Sequence, residues 1–406
     1  MLSWEQTPEL SPMRCCRAWV EIDFAALRHN VQQLATHLQG QADLMAVVKA
    51  DAYGHGAVTV AQTALSAGAT WLGVATVPEG MELRQAGIKA PILVMGAVSS
   101  GEEVQAIAQW QLQPTVVSPK QALVISETLS QLALSPAASP LLPVHLKLDT
   151  GMARLGFDWQ RAAEFVEFVR RLPHLSIASL YSHLATADSP DDSILNLQHQ
   201  CFEAAIAQIQ STGHTLPRIH FANSAATLGH PHLHYDMVRV GLAIYGLYPA
   251  PHLRETLELQ PVMQVKARIT HLKDIAAGTG VSYGHTFVAD RPLRLATVGI
   301  GYADGVPRAL SNQMTVLIEG KAVRQIGNIT MDQMMIDATD MPHLQEGDVV
   351  TVLGHSAGAT ITADDWAVLT GTISWEILCG FKHRLPRIAL GQTESTTSEA
   401  GLIDRN

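Results

Sequence analysis

Residues 44–56 read Leu44-Met45-Ala46-Val47-Val48-Lys49-Ala50-Asp51-Ala52-Tyr53-Gly54-His55-Gly56. Five apolar residues run unbroken, stop at a lysine and give way to turn chemistry, and a helical pattern resumes at Val58. A short apolar run without polar alternation fits a strand buried on both faces, as in a parallel sheet. Seven more such runs follow, at 71–75, 92–94, 114–117, 144–148, 177–181, 219–222 and 237–240, alternating with longer amphipathic stretches. Eight buried strands alternating with helices predict a (β/α)8 TIM barrel.

Working outward, Trp19, Glu21 and Asp23 alternate with Ala18, Val20 and Ile22, a short strand. A helix follows, with Asp23 as N-cap and Phe24, Leu27, Val31, Leu34 and Leu38 at helical spacing. Past Leu257 the period drops to two: Met263, Val265, Ala267 and Ile269 alternate with polar residues. Further strands are predicted at 293–300, 315–318, 321–326, 334–337 and 349–353, with Glu319-Gly320 as a hairpin turn. The fold class is therefore α/β, a barrel followed by a mainly-β C-terminal domain. The expected division is a loose arm at 1–16, the barrel at 17–256, the β domain at 257–390 and a polar tail at 391–406. The first strand, about 18–22, is open to either domain. Ser135 to Pro140 reads as a loop before the fifth barrel strand, and Ser189 to Asp192 as the cap of the helix after the sixth.

Of 406 residues 47% are hydrophobic and 16% charged, enough for a large core and too few charges for wholesale disorder. A formal net charge of -10 argues against a nucleic-acid partner. No apolar run reaches membrane-spanning length, and residues 1–14 lack a basic-then-apolar signal pattern. The four cysteines, Cys15, Cys16, Cys201 and Cys379, form neither a disulfide framework nor a metal-ligand spacing. A reduced cytoplasmic protein without a metal is expected.

In such a barrel, residues just past the strand ends build the active site. These are Lys49, then Lys147 through Arg154, then His183, then Asn223 and Ser224, then Arg239 and Gly241. Taken singly, Lys49 could be a solvated strand end and His183 a hydrogen-bonded core histidine. Together they form a cationic mouth that suits an anion. The loops after the last two strands, Asn223-Ser224-Ala225-Ala226 and Val240-Gly241-Leu242-Ala243, offer small residues whose N–H groups can approach a phosphate. A lysine amine beside a phosphate grip suggests pyridoxal 5′-phosphate carried on Lys49.

The motifs that carry a family resemblance are Ala46 to Gly56, Lys147-Leu-Asp-Thr-Gly-Met-Ala-Arg-Leu-Gly156, His220-Phe-Ala-Asn-Ser-Ala-Ala226, Val238-Arg-Val-Gly-Leu-Ala-Ile-Tyr-Gly246, Val281-Ser-Tyr-Gly284, Gly301-Tyr-Ala-Asp-Gly305 and Met331-Asp-Gln333. In these, from about Trp19 to Ile388, the chain resembles the alanine racemases, among the fold-type III pyridoxal-phosphate enzymes. The resemblance implies interconversion of L-alanine and D-alanine, supplying D-alanine for peptidoglycan. It implies Lys49 as cofactor carrier and base toward the D-isomer, and Tyr283 as the opposite base. Arg154 and Met331 would contact the substrate carboxylate. Tyr53, Asn223, Ser224, Gly241 and Leu242 would hold the cofactor phosphate. Arg239 would face the pyridine nitrogen, with His183 linking that arginine to the tyrosine. Tyr302 and Asp332 would support the site, and Lys147 matches a lysine carbamylated in many members. It further implies a homodimer with shared active sites, in which one chain's β domain closes its partner's barrel mouth. His383, before Arg384-Leu385-Pro386-Arg387, departs from a tyrosine usual there. An imidazole that reaches the phosphate would titrate, so cofactor retention is expected to weaken as pH rises. Competing readings are a broader amino-acid (serine) racemase, a decarboxylase of the same architecture and a non-catalytic pyridoxal-phosphate-binding barrel.

Overall fold

In the computed structural model, residues 16–132, 141–215, 218–381 and 383–391 are described. The arm through residue 15, the 135–140 loop and the tail from residue 392 lie outside the described residues. Two units divide the chain. One consists of Ala26–Ala52 and Ala57–Gln260; the other takes in the described residues up to Ala25, Tyr53–Gly56 and the chain from Pro261 onward. The first strand, β1 (Ala18–Asp23), thus belongs to the second unit. It pairs antiparallel with Met263–Ile275 and parallel with Arg387–Leu390.

The first unit is a nearly closed barrel of eight parallel strands. They are β2 (Asp43–Val47), β3 (Trp71–Val74), β4 (Ile92–Ala97), β5 (Gln113–Val116), β6 (Leu142–Asp149), β7 (Leu175–Tyr181), β8 (Ile219–His220) and β9 (Met237–Val240). Neighbours in space are neighbours in sequence, and β9 returns to β2 with Val238 opposite Leu44. Between β8 and β9 the ladder thins, but Asp236 N–H donates to Ile219 O and Arg239 N–H to Ala222 O, each at 3.0 Å. The unbroken apolar runs follow from this: β2 and β3 are buried along nearly their whole length, because side chains on one face fill the barrel and those on the other meet helices. The helix Val77–Gln85 starts with a capping box, Thr76 with Glu79.

The second unit is built mainly on antiparallel strands: β10 (Met263–Ile275), β11 (Leu293–Val298), β12 (Thr315–Ile318), β13 (Lys321–Ile326), β14 (Met334–Asp337), β15 (Val349–Ser356) and β16 (Ala359–Ile361), with β17 (Arg387–Leu390) parallel to β1 at the sheet edge. The long β10 bends at two register shifts, so it pairs with β1, β11 and β15. That closes a six-stranded ring through β15, β12, β13, β14, β11 and β10. Glu319 and Gly320 make the two-residue hairpin turn, both at positive φ (51° and 78°), as a type I′ turn requires. Two helices interrupt the strands, Ala363–Thr370 and Ser374–Gly380. The sequence reading had not found them. The signal was the capping box Thr362 with Asp365, and the glycine that ends the first helix, Gly371 at φ 68°.

Candidate active site

Lys49 follows β2, which Val48 extends by donating to Gly73 O at 2.9 Å. The next residues turn left-handed: φ is 51° at Ala50, 55° at Asp51, 52° at Ala52, 56° at Tyr53 and 83° at Gly54. Each non-glycine residue in that conformation costs about 1–2 kcal/mol, so such a turn persists only where its surroundings enforce it. Glu79 Oε1 accepts from Ala50 N–H at 2.8 Å, and Asp51 Oδ1 from Ala57 N–H at 2.8 Å. At the far end Arg387, buried, donates from Nε and Nη2 to Gly54 O at 3.1 and 3.0 Å. A Cβ on Gly54 would lie 2.8 Å from Leu378 O, which leaves room only for glycine. Tyr53 is buried, and burial, then the nearby Cys379, push its phenol pKa up. The turn fixes the backbone from which the Lys49 amine projects.

A group of cations converges with that amine. Burial, with Arg239, Arg154 and Lys49 nearby, brings Lys147 down to about 8, against the opposing pull of Asp149. Its ammonium lies 5.5 Å from the Tyr181 ring centroid and makes no hydrogen bond among the described residues. His183 is held neutral, its pKa far below the usual range through burial and the charges of Arg239, Lys147, Arg154 and Lys49. Arg239 is itself buried, and desolvation lowers it to about 10, so it stays protonated at neutral pH. Its Nη1 donates to His220 Nδ1 at 3.0 Å; its Nη2 donates to Ser182 O at 2.8 Å and to Phe221 O and His183 Nδ1 at 3.2 Å. Nε–H and one Nη1–H have no protein acceptor among the described residues. An acceptor-only nitrogen of a ligand ring suits that donor set.

The loops after β8 and β9, which the sequence offers as a phosphate grip, are joined to each other. Asn223 Oδ1 caps the short helix Ser224–Gly229 by accepting from Ala226 N–H at 3.1 Å. Ser224 Oγ accepts from Gly241 N–H at 3.0 Å, locking the two loops together. Leu242 opens a 3-10 turn directly after Gly241. The chemistry of these donors, a hydroxyl and first-turn amides, fits a phosphate ester.

The remaining predicted residues lie in the second unit. Tyr283 follows Ser282 at φ 64° and is 75% exposed. Its loop is tied down on both sides: Ser282 Oγ donates to Asn328 O and Asn328 Nδ2 to Tyr283 O, both at 2.6 Å. Met331 and Tyr302 are also exposed. Their loops are cross-linked by Tyr302 N–H to Thr330 O and Ala303 N–H to Met331 O, both at 3.0 Å. A Cβ on Gly301 would stand 2.3 Å from Thr330 O, so only glycine lets the loops touch. Asp304, fully buried, takes two hydrogen bonds from Arg17 at 2.8 and 3.0 Å and one from Gly301 N–H at 2.9 Å. Arg384 reaches Asp332 at 2.5 Å. Sequence reading missed Glu79, Arg17, His220, Ser179 and His145. The first was findable as the fourth residue of a capping box; the others become visible only when segments distant in sequence meet.

A barrel lysine held at a strand end, a buried guanidinium with donors to spare and two joined loops of small residues, with a β unit appended, are features of the class of fold-type III pyridoxal-phosphate proteins. Comparison narrows this. The chain belongs to the alanine racemase family: the model of the alanine racemase N-terminal domain matches residues 22–249, and that of the C-terminal domain residues 262–389. An alanine racemase of Nostoc sp. is 67% identical over 92% of this chain and 96% of its own. That of Synechocystis sp. is 59% identical over 92% of this chain and 99% of its own. Among solved structures, alanine racemase from Streptomyces lavendulae superposes with a TM-score of 0.86 at 36% identity, covering 96% of this chain and 99% of that one. The Bartonella henselae enzyme, solved with covalently bound pyridoxal phosphate, gives 0.82 at 31% identity over 92% of this chain and 100% of that one. The family is pyridoxal-phosphate-dependent. Among the described residues no helix is long and apolar enough to cross a membrane, and no cluster of histidine, cysteine and carboxylate side chains could hold a metal ion.

Proposed function

We infer that this chain interconverts L-alanine and D-alanine with pyridoxal 5′-phosphate carried on Lys49, supplying D-alanine for peptidoglycan from the cytoplasm. The observation that carries the reading is the Lys49 turn, strained and pinned beside a guanidinium with N–H groups to spare. When bound, the coenzyme supplies an electron sink for the pair released as the α-proton leaves. The chain's own residues do the rest. Lys49 Nζ takes or returns the α-proton on one face of the substrate carbon, and Tyr283 Oη on the other. One group on each face allows inversion without release of the substrate. Arg154, helped by Met331, holds the carboxylate. Asn223, Ser224, Gly241, Leu242 and Tyr53 hold the phosphate. Arg239 donates to the ring nitrogen and keeps it unprotonated, because a guanidinium does not surrender its proton at neutral pH. His183 joins Arg239 to the phenol, and Tyr302 and Asp332 brace the Met331 loop. Lys147, an unpaired amine brought to about 8, suits carbamylation, which puts an anion beside Arg154.

Tyr283, Tyr302 and Met331 present exposed side chains on one chain. This supports the view that a second copy supplies them to the barrel mouth, in a homodimer with shared sites. The test is α-proton exchange in D2O across a panel of amino acids. Exchange and inversion of alanine in both directions are expected, with serine much slower. Loss of CO2 from a basic amino acid, or no exchange with alanine, would overturn the reading.

A further inference from the structure

Five adjacent barrel strands each contribute one polar side chain to a single buried chain of hydrogen bonds. Arg239 on β9 meets His220 Nδ1 at 3.0 Å. His220 Nε2 on β8 lies 2.8 Å from Ser179 Oγ on β7. Ser179 Oγ lies 2.6 Å from His145 Nδ1 on β6. His145 Nε2 lies 2.8 Å from Gln113 Oε1 at the start of β5. His145, Ser179 and His220 have no exposed surface. Aromatic neighbours fix both imidazoles: Tyr181 stacks on His220 at 4.5 Å and 11°, and Trp71 meets His145 edge-on at 5.6 Å.

The proton positions along this chain follow from its two ends. Arginine only donates, so His220 Nδ1 must accept. A neutral His220 then carries its proton on Nε2 and donates it to Ser179 Oγ. The Ser179 hydroxyl is left to donate to His145 Nδ1. His145 in turn carries its proton on Nε2 and gives it to Gln113 Oε1, which only accepts. If His145 were the other tautomer, both imidazoles would donate to one hydroxyl and a lone pair would face the Gln113 oxygen. Desolvation holds both rings neutral, His145 down to about 3 with Arg218 adding to the effect, and His220 well below its usual range with Arg239, His145 and Arg218 adding.

We propose that Gln113, His145 and Ser179 are positioning residues: they lock the His220 tautomer and so orient and polarise the Arg239 guanidinium toward the coenzyme nitrogen. This rests on the reading that Arg239 meets that ring. Among the described residues no carboxylate is hydrogen-bonded to Arg239, so the aligned dipoles of the relay supply part of its stabilisation. Freeing His220 to flip its tautomer would turn an N–H against the guanidinium and let it swing from the nitrogen.

The experiment uses the full-length holoenzyme, labelled with 15N in histidine, as wild type, Ser179→Ala and Gln113→Met. In the wild type, His145 and His220 are expected as neutral Nε2–H tautomers that do not titrate between about pH 6 and 9. Ser179→Ala should shift His220 toward a tautomer mixture and raise the ratio of transamination to racemization roughly threefold to tenfold, the worth of about one hydrogen bond. Gln113→Met, at the half-buried end of the relay, should move both readouts the same way by less, and covers the case in which Ser179→Ala does not fold. A wild-type Nδ1–H tautomer at either ring, or both variants with an unchanged ratio, would overturn the proposal. The two inferences fail differently. If coenzyme binds and alanine racemizes while a tautomer is wrong, only the relay falls. If no coenzyme binds, the nitrogen spectra still judge the relay while the functional reading falls.

Discussion

Arg239 and Lys147 are both buried cations, and they differ in what holds the charge. Arg239 spreads its charge over two imidazoles and two carbonyls within 3.2 Å and remains protonated with its pKa at about 10. Replacing it by a carboxylic acid, Arg239→Glu, would offer the ring nitrogen a proton it can take. A protonated ring is a stronger electron sink, so transamination should rise relative to racemization by an order of magnitude or so; chiral chromatography beside pyruvate release measures the ratio, and an unchanged ratio refutes the role. Lys147 has no hydrogen-bond partner among the described residues and is brought to about 8, against an ordinary 10.5. The unfolded chain therefore binds more protons between about pH 8 and 10.5, and stability attributable to this residue rises with pH across that window. Below pH 8 its buried charge costs at most about 3 kcal/mol. Lys147→Met should accordingly raise the melting temperature of CO2-free apoprotein at pH 7 and lose that advantage near pH 10. For the same reason, uptake of labelled bicarbonate at Lys147, followed by 13C NMR, should increase from pH 7 to 9. At this scale the sequence was legible where a motif names a residue, as for Lys49 and Arg239. It was silent on His145, because a histidine inside an apolar run carries no mark of the serine and glutamine it will meet.

The Lys49 turn shows why elements were easier to find than their geometry. An apolar run ending at Lys49 marks a strand, but Ala50, Asp51, Ala52 and Tyr53 carry no glycine signal for the left-handed conformation they adopt. The enforcing contacts come from residues 79 and 387, far away in sequence. Two substitutions separate local strain from tertiary enforcement. Ala50 is exposed, so Ala50→Val adds a β-branched side chain at φ 51° with little packing change and should destabilise by about 1–2 kcal/mol, while Ala50→Gly should not. Glu79→Ala removes the acceptor of both Ala50 N–H and Ala75 N–H, the latter at 2.7 Å. It should cost about 1–3 kcal/mol and weaken coenzyme retention beyond what the stability loss explains. Thermal melts with and without coenzyme measure both; equal losses in the two would mean that Glu79 serves the helix alone. The same contrast runs through the second unit. Its strands were read from period-two alternation, while the two helices were passed over because they are short and follow a strand without a long apolar stripe.

At the scale of the whole molecule, the sequence predicted eight buried runs and then a change of period, and the chain folds as a parallel barrel and a closed antiparallel ring. The assembly is where sequence is weakest, since an exposed tyrosine and a tyrosine awaiting a partner look alike. The proposed sharing of sites makes a quantitative claim. Lys49→Ala inactivates the barrel half of a site, and Tyr283→Ala the β-unit half. If each site draws its two halves from different copies, random reassortment of equal amounts of the two inactive proteins makes half the dimers mixed. Each mixed dimer then holds one intact site and one doubly defective site. Mixing should therefore restore roughly a quarter of the wild-type racemization after dissociation and reassociation. Closure within one chain predicts none, because every site would keep its own defect. Recovery that appears only after reassortment, and that scales with the product of the two fractions, would also exclude contamination by either parent.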